Sequence, residues 1–84
     1  MSPGQRRSAD PIAAAILDHL AAYPHASDTA DGIARFWLPP SLRDATPKRI
    51  HRTLDRLAAE GALVRIAVPG GQHRYAAAPR AADG

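Results

Sequence analysis

The sequence predicts a mainly α domain that ends in a small β-hairpin, an α+β chain of three helices followed by a two-stranded ribbon. Three observations predict it. The stretch Thr46 to Gly61, TPKRIHRTLDRLAAEG, carries a helix start, a helix stop and two chemically distinct faces. Just beyond it, LVRIAVPGGQHRYA places two short β-prone runs around Pro-Gly-Gly, the signature of a hairpin. Upstream, Asp10 to Tyr23 and Ser27 to Leu38 repeat apolar residues at helical spacing.

Met1 to Ala9 is polar, with Pro3, Gly4 and the pair Arg6-Arg7, and reads as a disordered basic arm. It is either a simple tail or an arm that reaches a minor groove. The first helix runs from Asp10, with Pro11 at its first position, to Tyr23, and Pro24 stops it. Ile12, Ile16, Leu17, Leu20 and Tyr23 form its apolar stripe. Its outward alanines Ala14, Ala15, Ala21 and Ala22 are good helix formers, or a small-residue dimer surface. Residues 27 to 38 predict a shorter second helix capped by Ser27 or Asp28. Ala30, Ile33, Ala34, Phe36 and Trp37 mark its buried side, and Phe36 and Trp37 read as core anchors. Gly32 costs about 1 kcal/mol against Ala inside a helix, which suits a site where another helix comes close.

Between this helix and Thr46 lies PPSLRDA, a stiff, non-helical connector from which Leu42 is expected to tuck back onto the core. The third helix, Thr46 to Glu60, has Thr46 as N-cap, Pro47 at its first position and Gly61 as the left-handed residue that closes it. Ile50, Leu54, Leu57 and Ala58 share one stripe, which faces a core. Lys48, Arg49, His51, Arg52, Asp55 and Arg56 collect on the opposite face. Taken alone, that face could be a solvated surface stabilised by the i,i+4 pairs Arg56 with Glu60 and His51 with Asp55. In the hairpin, a turn at Gly70-Gly71 sets Ile66 opposite Tyr75, Val64 opposite Ala77 and Val68 opposite His73. The apolar members then share one face, and Arg65 and Arg74 share the other. Residues 79 to 84 read as a frayed tail, leaving 10 to 78 as the folded domain.

At 84 residues the chain is one domain, and a chain of this size buries only about 60 % of its unfolded surface, so a large substrate cavity is not expected. It has no cysteine, which removes disulfides, thiolate metal sites and cysteine nucleophiles together. No apolar run approaches the roughly 20 residues of a membrane span, and the N-terminus lacks the apolar core of a signal peptide. A soluble cytoplasmic protein without membrane contact is therefore expected. His19, His51 and His73 lie on three different elements with no i,i+4 spacing, and His25, Asp28 and Asp31 are explained by capping and solvation, so no metal is expected. Pro69-Gly70-Gly71 lies in a hairpin turn and opens no helix, which removes a phosphate loop. Neither an enzyme nor a cofactor nor a small-molecule substrate is indicated.

The charge is +3 overall, yet residues 10 to 34 hold Asp10, Asp18, Asp28 and Asp31 with no Lys or Arg, a balance of −4. Residues 46 to 75 hold Lys48, Arg49, Arg52, Arg56, Arg65 and Arg74 against Asp55 and Glu60, a balance of +4. A fold that gathers the basic half on one side would present a positive field to a polyanion and repel it from the other side.

The run Ile50-x-x-x-Leu54-x-x-Leu57-x-x-x-Gly61-x-Leu63, followed by Gly71-x-x-Arg74-Tyr75, resembles a bacterial winged helix-turn-helix domain over residues 10 to 78. The seven-residue connector is longer than the three or four residues usual between the paired helices. The resemblance implies that residues 46–60 are a recognition helix entering a major groove of double-stranded DNA and that residues 62–78 are a wing. It implies DNA contacts by Thr46, Lys48, Arg49, His51, Arg52, Arg56, Arg65 and Arg74. Lys48 and Arg49 fall near the sugar-phosphate edge, His51 and Arg52 at base edges, and Arg56 at a phosphate or on Glu60. Arg65 and Arg74 fall on backbone or minor groove beside the helix. A small transcriptional regulator acting as a homodimer is the expected function; a protein-interaction module in a larger assembly is the alternative.

Overall fold

The computed structural model describes residues 10–79. Helix α1 (Pro11–Ala22) starts as expected: the Asp10 side chain accepts hydrogen bonds from the amides of Ile12 at 3.0 Å and Ala13 at 3.3 Å. Its buried stripe is Ile12, Ala13, Ile16 and Leu20. Tyr23, expected on that stripe, is instead 61 % exposed. The residue before a proline is pushed out of the α region, and at φ −131° and ψ 78° Tyr23 has already left the helical path.

The second element differs most from expectation. Ser27–Thr29 is not the start of a helix but a strand, β1, antiparallel to a strand 47 residues further on. Thr29 then caps the helix that follows, its hydroxyl accepting from the Gly32 amide at 3.1 Å. That helix, α2, is one α turn (Ala30–Gly32) continuing into a π-helical stretch (Ile33–Trp37). The widened turn brings Ile33 and Trp37 onto the buried side and leaves Phe36, expected in the core, 72 % exposed. Gly32 is required by a different neighbour than expected. A Cβ there would collide with the Asp28 side chain, so the close neighbour at that position is β1.

The connector, expected to be non-helical, instead forms a 3-10 turn at Pro40–Leu42, Pro40 suiting its first position, and Leu42 does pack on the core. Helix α3 (Pro47–Ala59) is capped by Thr46, whose hydroxyl accepts from the Arg49 amide at 3.2 Å. It closes with paired bonds from the Ala62 amide to the Leu57 carbonyl at 2.9 Å and from the Gly61 amide to the Ala58 carbonyl at 3.1 Å. Gly61 lies at φ +87°. Ile50, Thr53, Leu54 and Leu57 are its buried positions.

Strands β2 (Leu63–Ile66) and β3 (Arg74–Ala77) complete an antiparallel sheet in the order β1-β3-β2, so the expected two-stranded ribbon has three strands. The register is also one residue away from expectation. Leu63 faces Ala77, Val64 faces Ala76, Arg65 faces Tyr75 and Ile66 faces Arg74, while Val68 and His73 lie outside the ladder. An even two-residue turn at Gly70-Gly71 would give the expected pairing. The connection instead runs from Ala67 to His73 with Gly70, at φ +72°, at its centre, and an odd loop shifts every pair by one. Leu63 and Tyr75 therefore point to the core, and Ile66 is exposed.

The described residues form a small α+β domain with three helices and a three-stranded antiparallel sheet around one core. Ile12, Ile16, Ile33, Leu38, Leu54 and Leu57 are essentially inaccessible in it. No helix among the described residues is long and apolar enough to cross a membrane. The expected arm at 1–9 and residues 80–84 of the expected tail lie outside the described residues.

Candidate nucleic-acid interface

Burial of Ile50, Thr53, Leu54 and Leu57 fixes the rotation of α3 and so decides what it shows to solvent. Lys48, Arg49, His51 and Arg52 are all exposed on its N-terminal half. Among the described residues, no carboxylate lies within 4.0 Å of Lys48, Arg49 or Arg52. Three cations thus share about one and a half helical turns with no internal partner.

The other expected site residues are engaged inside the molecule. Arg56 donates through Nη2 to Asp10 Oδ2 at 2.7 Å and lies 3.9 Å from Glu60. The same Asp10 oxygen accepts from the buried Thr53 hydroxyl at 3.3 Å. One carboxylate therefore caps α1 with one oxygen and ties α1 to α3 with the other. Burial alone would raise its pKa, but the amides of Ala13 and Ile12 together with the Arg56 guanidinium outweigh burial and hold it below the ordinary value.

Arg65 and Arg74 do not share a face. Alternation along the shifted register puts Arg65 on the side of Leu63 and Tyr75, at the end of the strand beyond the core, where Nη2 comes within 3.6 Å of Asp55 Oδ1 on α3. Arg74 lies on the opposite side and donates through Nη2 to the Ser27 carbonyl at 2.8 Å, binding β3 to β1. Arg65 remains about half exposed, as does Arg56. Arg43, on the connector, donates through Nε to the Leu38 carbonyl at 3.3 Å.

Beside the α3 front, an open cleft of about 480 Å³ lies between the N-terminal turns of α2 and α3 and the start of β3. His51 lies at its edge with Gln72 and His73. Sequence reasoning missed these last two residues, because only the fold brings the 67–73 connection back to α3. It also missed Asp10 as the partner of Arg56: the Asp-Pro pair announces a cap, but nothing local announces a contact 46 residues away. Among the described residues, no group of three His, Asp or Glu could hold a metal ion. In comparisons with known proteins, the chain matches no protein-family model, no curated protein and no solved structure.

Proposed function

We propose that this domain is a winged helix-turn-helix that binds double-stranded DNA, as a small transcriptional regulator, by placing α3 in the major groove. The observation that carries the reading is the set Lys48, Arg49 and Arg52, exposed and without an internal counter-charge among the described residues. Burying an arginine or lysine in an ion pair removes it from service to phosphate, and these three are not removed. The order helix, strand, helix, helix, two strands supports the same reading, with α2 and α3 as the paired helices and β2–β3 as the wing. Lys48 and Arg49, in the first turn, contact phosphates with the helix N-terminus, while His51 and Arg52 reach base edges, Arg pairing with guanine. Arg56 and Arg65 reach backbone only by sharing their guanidinium groups with Asp10 and Asp55. Arg74 acts on the wing from within, by holding β3 against β1. Two chains acting together on half-sites give the affinity that one 84-residue module rarely reaches alone.

Fluorescence anisotropy of a labelled duplex at several salt concentrations tests the reading. Micromolar binding that weakens with salt, and that a Lys48→Ala, Arg52→Ala double variant weakens further, is the expected result. An absence of binding at about 50 mM salt would favour the second reading, a protein-interaction module. One observation supports that alternative: Phe36, a large aromatic ring, is 72 % exposed on α2.

A further inference from the structure

The cleft beside α3 exists because small side chains meet where α2, α3 and β3 converge. Ala30, Ala34 and Ala45 are the small side chains on its lining. Its volume of about 480 Å³ lies within the range of small-molecule sites, about 300–1,000 Å³. The floor is apolar and reaches the core through Ile50 and the ring of Tyr75, both almost wholly buried. The edge is of a different kind. His51, Gln72 and His73 contribute two imidazoles and a carboxamide, groups that both donate and accept hydrogen bonds. The one carboxylate on the lining, Asp31, is paired with Arg35 at 3.2 Å.

The edge thus offers hydrogen bonds of both senses and no unpaired carboxylate. A charged ligand would shed its hydration over the apolar floor and find only Asp31, already shared with Arg35, as a counter-charge, whereas an uncharged flat one would cover the floor and bond the edge. We propose that this cleft binds a small, uncharged, planar nitrogen heterocycle that presents a donor and an acceptor along one side, such as a fused ring with a lactam edge. His51 belongs both to the cleft and to the α3 front, so an occupied cleft competes with DNA for one side chain. That coupling rests on the DNA-binding reading; occupancy of the cleft does not.

The experiment is a titration of the isotope-labelled protein with quinazolin-4-one and with hypoxanthine, followed by NMR, with 2-naphthoate and 2-naphthamidine as charged fused-ring counterparts of similar size. Saturable shifts at Gln72, His73 and Tyr75 are expected, with the charged probes at least about tenfold weaker, the effect of one well-made hydrogen bond or its loss. Ala34→Leu and Ala45→Leu fill the cleft from two elements and abolish the shifts. The exposed pair Gln72→Ala, His73→Ala weakens binding by a similar factor without touching the core, and circular dichroism checks that each variant is folded. Absence of a saturable shift from both heterocycles, equal binding of the charged probes, or undiminished binding in a folded filled variant would overturn the proposal. DNA affinity is measured separately. A protein that binds the heterocycle but no DNA refutes the regulator reading alone, and one that binds DNA but no heterocycle refutes the cleft alone.

Discussion

A single carboxylate shows how local chemistry and tertiary structure meet in this chain. Asp10 is 18 % exposed at its side chain and holds four donors, the amides of Ile12 and Ala13, the Thr53 hydroxyl and the Arg56 guanidinium. Burial opposes its ionised form, and these donors favour it by more, so its pKa in the folded chain lies below the ordinary 3.8. A carboxylate with a depressed folded value contributes its stability above the unfolded pKa and loses it as pH falls through the folded one. Urea denaturation should therefore show stability declining below about pH 4, with a smaller decline in Asp10→Asn, which keeps a capping oxygen but no charge. Asp10→Ala should cost about 1 to 3 kcal/mol at pH 7, because it removes the cap and strands the buried Thr53 hydroxyl. A loss no larger than that of an exposed substitution would mean that the node is not closed in solution. Half of it was legible beforehand. Asp-Pro before an apolar stripe announces a capped helix, and Thr46-Pro47 does the same for α3, because a cap is a matter of adjacent residues. The Arg56 contact depends on how two helices cross, which no local pattern encodes.

At the scale of elements, the helices with complete punctuation formed where the pattern put them, and the errors fall where pairing is non-local. Gly61 is an instance of the first kind. It closes α3 at φ +87° in a spot where an added Cβ would meet nothing within 4 Å, so the whole cost of replacing it is backbone conformation. Gly61→Ala should lower stability by about 1 to 2 kcal/mol, with Gly61→Asn milder, as read by thermal or urea unfolding. Equal stability of all three would imply a changed helix end. The sheet is the second kind. Ser27-Asp28-Thr29 carries cap chemistry, and it became β1 because β3 offered a free edge held by Arg74, a partner no nearby residue reveals. The one-residue register shift has the same origin: Gly70 and Gly71 both suit a turn, and burial of Leu63 and Tyr75 decided which loop parity won. The candidate site inherited that error. Its helical half, Lys48, Arg49, His51 and Arg52, depended on one amphipathic pattern and came out on one exposed face. Its strand half, Arg65 and Arg74, depended on register and came out on opposite faces.

Across the whole molecule, the charge asymmetry is partly cancelled by internal pairs, one of which crosses between its halves. The acidic segment 10–34 supplies Asp10 to Arg56, and within the basic segment Asp55 holds Arg65. How much positive charge is left for a polyanion then depends on whether those pairs open when DNA arrives. On the proposed reading, the salt dependence of binding counts the answer, since log affinity falls with log salt by about 0.9 per neutralised phosphate. The phosphate-facing pair Lys48 and Arg49 alone gives a slope of about −2 per domain, and recruitment of Arg56 and Arg65 gives about −4. Arg56 is held by Asp10 at 2.7 Å, so the shallower value is expected for wild type, with Arg65, 3.6 Å from Asp55 and about half exposed, adding at most about one. Substitution separates the two cases. Arg49→Ala should reduce the slope by about one and leave stability nearly unchanged, whereas Arg56→Ala should leave the slope nearly unchanged and lower stability through Asp10. If Arg56→Ala instead reduces the slope by about one at unchanged stability, the guanidinium serves phosphate rather than Asp10, and the node between α1 and α3 opens on binding.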